Sequence, residues 1–206
     1  PDPRFGYRST DPCGRATGAV PGRDDVFMTT PAASFSVHPT PIGEALIVVT
    51  DRGLAVLDVL DVARGALDGA LQDAATALRR VVEPDETATA HVVAQLDEYF
   101  AGVRRDFDLP LDLDAVHGFA RTALERIGEI PYGEVRSYAE VAIAAGSPGA
   151  NRAVGSACAR TPISVVIPAH RVVRSDGSIG EYGGHPERKR YLLDLEAEVA
   201  GVPAAV

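Results

Sequence analysis

From Ser34 onward the apolar and polar positions follow two different periods in turn. "SFSVHP", "EALIVVT" and "LAVLDVL" are short β-branched runs and predict three strands. They are separated by Pro-Ile-Gly and by Asp51-Arg52-Gly53, where Gly53 is free to take the positive φ that a hairpin turn needs. The period then changes. Residues 63–82 and 88–102 carry apolar side chains at helical spacing. Strands followed by helices predict an α/β lobe over about 34–105.

"DFDLPLDLD", residues 106–114, is extended and broken by proline, which suits a linker. Beyond it, Leu113, Val116, Ala120, Ala123, Leu124 and Ile127 fall on one stripe of a helix over 113–130. "SYAEVAIAAG" predicts a helix capped by Ser137 and stopped by Gly146. In "SPGANRAVGSACAR", residues 147–160, Ser147 reads as an N-cap with Pro148 in the first helical position. Two short helices joined by a glycine-containing turn make a helix-turn-helix pattern. The second helix carries Ala150, Ala153, Gly155, Ser156, Ala157 and Cys158, so its surface has little bulk. Such a face permits close approach to a partner or tight packing against another helix. "SVVI", residues 164–167, predicts a strand ended by Pro168, before a loop punctuated by glycines.

Composition bounds the class. The chain has 206 residues, 46% hydrophobic and 24% charged, ordinary values for a globular protein of one or two domains. It has no apolar run long enough to span a membrane and no secretory signal pattern, so a cytoplasmic setting is expected. Cys13 and Cys158 form no disulfide framework, and no metal-ligand spacing is seen. His38, His91 and His117 stand singly and are assigned no role. Residues 1–33, rich in Pro, Gly and Asp, read as a flexible leader that includes Cys13 and Met28.

A net charge of −9 argues at first against a nucleic-acid partner. The charge is uneven, however. Residues 131–190 hold eight basic and five acidic side chains, a local +3, which leaves −12 on the remainder. A local basic surface suits phosphate binding, and it equally suits a solvated helix face.

In order along the chain come "IPYGEVRSY", "SPGANRAVG", "IPAHRVV", "G-x-Y-G-G" and "RKRYLLDLE". With these motifs the chain resembles the O6-alkylguanine-DNA alkyltransferase family, suicide proteins that move an alkyl group from DNA onto their own cysteine. The resemblance covers residues 34 to about 197, and "TPIGEALIVVTDRGL" and "LDEYFAG" extend it to the first lobe. It implies a ribonuclease H-like α/β lobe over 34–108, and a mostly α DNA-binding and active-site lobe with the helix-turn-helix over 109–198. Residues 199–206 would form a tail.

The resemblance also implies roles. The helix-turn-helix would enter the minor groove of double-stranded DNA with Ala150, Ala153 and Gly155 on its close face. Arg152 would fill the space left by a flipped nucleotide, Tyr138 would crowd the phosphate, and Arg160 and Arg171 would add DNA contacts. Pro168, Val172, Val173, Ser175, Tyr182, Gly183 and Gly184 would form the pocket for the flipped base. His170 and Glu196 match the relay that makes the acceptor cysteine a thiolate.

At that acceptor position this chain has Ala169. Attack at an alkyl carbon needs a soft thiolate, and a methyl side chain cannot supply one. Two more positions depart from the family pattern. Thr161 stands where an asparagine is usual, and the segment before "IPYG" lacks the usual Gln and Trp. Cys158 reads as a small buried hydrophobe, with a reactive thiol as the alternative.

Three functions are compatible. The first is a protein that binds DNA containing O6-alkylguanine without repairing it, a monomer that flags lesions for excision-repair proteins. The second is a single-turnover DNA methyltransferase carrying an engineered Cys-to-Ala change. The third is a regulatory or small-molecule-binding use of the fold. No metal or cofactor is expected.

Overall fold

The computed structural model describes residues 32–60 and 66–203. The sequence readings of Cys13, Met28 and the leader up to residue 31 lie outside the described residues. β1 (Ala33–Thr40), β2 (Gly43–Thr50) and β3 (Gly53–Val59) form an antiparallel meander, so the sheet starts one residue inside the expected leader. β2 is central. Leu46 and Val48 face one side and Ile47 and Val49 the other, and all four are buried. Burial on both faces is why this strand reads as a continuous apolar run rather than an alternating one.

α1 (Ala66–Leu78) covers the Leu46–Val48 face. β4 (Val82–Pro84) then pairs parallel with the far side of β1, giving the sheet order β3-β2-β1-β4. The sequence reading placed Val82 at a helix end instead, because three residues are too few to show a period. α2 (Glu86–Phe100) packs on the opposite face. Asp85 caps it by accepting from the amides of Thr87 and Ala88.

The expected linker is stitched to the sheet edge. The amide of Leu54 donates to Pro110 O and the amide of Asp112 to Leu54 O, both at 2.8 Å. At Gly53, with φ +130°, an added Cβ would lie 2.1 Å from Pro110 O. Further along the same edge, Leu57 N donates to Pro162 O and Ser164 N to Leu57 O. The edge of β3 is therefore covered by two segments of the C-terminal half.

α3 (Gly118–Gly128) is shorter than its apolar stripe. Residues 113–116 form a turn, with Val116 N donating to Leu113 O, and Gly118 has φ +60°. Ala123, Leu124 and Ile127 still bury as the stripe predicts. The remaining elements are β5 (Arg136–Ser137), α4 (Tyr138–Ala144), α5 (Asn151–Ala159), β6 (Val172–Val173) and α6 (Pro186–Ala200). An N-terminal sheet domain thus packs against a C-terminal helical domain, as the resemblance implies. Among the described residues no helix is long and apolar enough to cross a membrane.

Candidate functional site

Ser137 caps α4 in a full capping box with Glu140. α5 begins later than its sequence suggests. Ser147 is not its cap. Ser147 to Ala150 form a turn in which Ala150 N donates to Ser147 O, and Gly149 takes φ +87°. The left-handed glycine ends the turn, so the helix can start only at Asn151, and Ala150 at its N-cap offers no side-chain acceptor.

Residues 164–167 form no strand. Val166 N donates back to Ser164 O at 2.8 Å across Val165, whose φ is +67°. This is a γ-turn with a left-handed β-branched residue at its centre, a strained geometry held by the burial of Val165. Pro168 (φ −79°, ψ 63°) makes the opposite γ-turn, with Ala169 N donating to Ile167 O at 2.7 Å. Ala169–Arg171 then form one 3-10 turn, and β6 pairs parallel with β5 at the start of α4. The two turns, not a strand, deliver Ala169 and His170 into the interior, where both are buried.

Glu196, from α6, is the centre of a buried network. It accepts from Tyr99 Oη (2.7 Å), from Arg171 Nε and Nη2, and from the amide of Gly133. Its Oε1 lies 2.9 Å from His170 Nε2. Burial works against ionisation of Glu196, but the hydrogen bonds of His170 and Arg171 and the adjacent cationic charge outweigh it. They hold the carboxyl well below the usual carboxylate range. A carboxylate facing Nε2 requires the proton on that nitrogen. Burial also lowers the His170 pKa, so the ring is neutral and Nδ1 keeps a lone pair. That Nδ1 is buried with no hydrogen-bond partner.

Arg171, expected to contact DNA, is turned inward. It is 6% exposed, it grips Glu196, and its Nη1 donates to Ile130 O at 2.6 Å. It holds the Glu196 carboxylate instead, because a buried carboxylate needs a nearby cation. Val172 and Val173 are likewise buried, and Val172 O already accepts from Lys189 Nζ at 2.5 Å. Burial brings the Lys189 ammonium down to about 8.

Six expected residues do converge. Tyr138, Arg152, Gly155, Ser175, Tyr182 and Gly183 line one cavity of about 480 Å³. Cys158, read from the sequence as facing the core or the base of the pocket, also lines it, together with Ala139, Asn151, Ala159, Arg174, Asp176 and Glu181, which were assigned no place there from sequence. Arg152 is exposed and has no hydrogen-bond or ion-pair partner among the described residues. Ala150, Ala153, Gly184 and Arg160 lie outside this cavity, and so do Pro168, Ala169 and His170. Arg160 leans back on its own helix, donating to Ser156 O.

Burial pushes the Cys158 thiol up to about 11 against the opposing pull of Lys189, so it stays protonated at neutral pH. The Tyr182 hydroxyl is pushed up to about 12, also by burial. The Thr161 hydroxyl is buried without a partner, so it braces nothing through that group. Tyr99 and Lys189 are functional-site residues that sequence reasoning missed. The one available signal was the helical stripe Val92, Leu96, Tyr99, which buries a tyrosine hydroxyl that must then find an acceptor.

Two family models match. Residues 34–113 match the ribonuclease-like domain of 6-O-methylguanine DNA methyltransferase, and residues 118–198 match its DNA binding domain. The methylated-DNA–protein-cysteine methyltransferase of Mycobacterium leprae is 46% identical over 113 residues, 55% of this chain and 68% of that protein. The enzyme of the same name from Methanosarcina barkeri is 34% identical over 167 residues, 79% of this chain and 96% of that protein. Among solved structures, the Mycobacterium tuberculosis O6-methylguanine methyltransferase is similar at a TM-score of 0.66 and 34% identity. The structure of the M. tuberculosis protein in complex with DNA is similar at a TM-score of 0.68 and 35% identity. Each of these two similarities covers 84% of this chain and 96% of the other. Because the two models account for most of the chain and a relative is matched along nearly its whole length, the chain belongs to the 6-O-methylguanine DNA methyltransferase family.

Proposed function

We propose that this chain binds duplex DNA through α4 and α5 and holds an O6-alkylated guanine in the cavity beside Tyr138, without taking up the alkyl group. The observation that carries the reading is Ala169, buried at 1% exposure beside an otherwise complete His170–Glu196 pair. A neutral histidine with a free lone pair is a base, but an alanine methyl offers it no proton and the lesion no nucleophile. Cys158 is no substitute, since burial keeps it a thiol.

DNA binding is supported by membership of the family, by the match to its DNA binding domain and by the structural similarity to a relative in complex with DNA. In this reading Tyr138 crowds the phosphate, Arg152 enters the stack behind the flipped base, and Tyr182 with Gly183 closes over it. Extrusion is required because O6 is inaccessible inside a stacked duplex.

The test is a binding titration of O6-methylguanine duplex against plain duplex, followed by intact-mass measurement of the protein. The unaltered chain is expected to prefer the lesion and gain no mass. Ala169→Cys is expected to bind equally and gain one methyl group. Absence of any lesion preference in both chains would overturn the reading.

A further inference from the structure

The turn that brings Tyr182 and Gly183 to the wall of the cavity beside Tyr138 is held from outside that cavity. His185 N donates to Tyr182 O at 2.8 Å, and the two residues between them, Gly183 and Gly184, take φ +58° and +87°, the pattern of a type I′ turn. A Cβ added at either glycine meets nothing within 4 Å. Packing at its tip therefore does not fix the turn, and its position is set at its two ends. At one end the Tyr182 ring packs against the core. At the other the turn runs straight into α6, where Arg188 N donates to His185 O at 3.1 Å. The Arg188 side chain then crosses to the sheet domain. Its Nη1 donates to Val59 O at 3.0 Å and its Nη2 to Leu60 O at 3.2 Å. Val59 and Leu60 are buried, and Leu60 N is itself bonded to Glu44 O. A Cβ added at Gly43 would lie 3.5 Å from Arg188 Nη2, so the guanidinium is seated between the end of β3 and the β1–β2 turn. There it lines a second cavity, of about 620 Å³, between the two domains, and not the cavity proposed for the base.

We propose that Arg188 is a positioning residue for lesion binding. It ties the Tyr182–His185 turn to the sheet domain and so sets where that turn closes over the base. The inference rests on the lesion-binding reading above and gives the sheet domain a part in it. A guanidinium suits the task, because its planar fork meets two neighbouring carbonyls at once, whereas an ammonium is a single point. Without the fork the turn visits open positions, and affinity for the flipped base falls in proportion to the time the turn spends closed. Binding to plain duplex, which in this reading rests on α4 and α5, does not draw on the turn.

The experiment uses the full chain and two duplexes, one with guanine and one with O6-methylguanine at a single position. It compares the unaltered protein with Arg188→Met, Arg188→Lys and Arg121→Met, at a temperature where circular dichroism shows each folded. Arg188→Met is expected to cut the preference for the lesion by about fivefold while plain-duplex affinity holds. Arg188→Lys, which can keep one of the two bonds, is expected to lose only about twofold. Arg121→Met removes a guanidinium on α3 that also bonds a main-chain carbonyl, Leu113 O at 2.8 Å, and should leave the preference unchanged. If Arg188→Met keeps the full preference, or weakens both duplexes equally, or if Arg121→Met lowers the preference as much, the inference falls and lesion binding stands. Should Arg188→Met fail to fold, Arg188→Lys decides, and a preference kept in full overturns the inference. If the unaltered chain does not prefer the lesion, the lesion-binding reading falls and takes the inference with it.

Discussion

Glu196 shows most directly how one side chain organises the site. Tyr99, Gly133, His170 and Arg171 all donate to it, from three separate parts of the chain. Arg171→Ala would strand a buried carboxylate, and about 3–5 kcal/mol of stability should be lost, read as a fall in urea midpoint. His170 adds a pH dependence. Its folded pKa is depressed, so the unfolded chain takes up the proton first as pH falls. Its contribution is fully present above about pH 6.5 and declines below that value towards the folded pKa. The urea midpoint should therefore drop between neutral and mildly acid pH, and His170→Gln should flatten that part of the profile. An unchanged profile in the variant would assign the acid sensitivity to other groups. From the sequence, His170 and Glu196 were recognisable through their motifs. The inward turn of Arg171 was not, because an arginine's direction depends on a carboxylate 25 residues away.

At the level of elements, the capping box of α4 was readable because a cap is local chemistry. Ser137→Ala should cost about 1 kcal/mol in urea unfolding, since the Glu140 amide loses its acceptor. It should also loosen Tyr138, the first residue of that helix. Gly53 was recognised as a turn glycine, but its second constraint, the backbone of Pro110, was not. Gly53→Ala should therefore lose more than the about 1–3 kcal/mol of a strained φ alone, measured by thermal or urea unfolding, because the strand edge and residues 110–112 must part. The run at 164–167 misled for a physical reason. β-branched residues favour strands, yet here tertiary packing forces Val165 to a left-handed φ and buries its side chain. The late start of α5 has a similar cause, the left-handed Gly149 that completes the preceding turn.

For the molecule as a whole, a chain of net charge −9 is proposed to bind a polyanion. The local +3 over residues 131–190 makes this possible, but Arg171 and Lys189 in that segment are buried. Few basic groups remain to meet phosphate, so the log–log dependence of affinity on salt should have a shallow slope, about −2 to −4. A flat response would argue against a DNA interface. Arg152, exposed and unpaired among the described residues, should matter more than any other arginine. Arg152→Ala should weaken lesion-duplex binding by about tenfold with little change in stability. Periodicity and motif order were enough to give the first three strands, most of the helices and the family, since each of these is written in residues near one another. The division of arginines between interior and surface, the paired γ-turns and the cavity between the domains arise only on folding. Burial and close approach are set by residues far apart in the chain, and no local pattern encodes them.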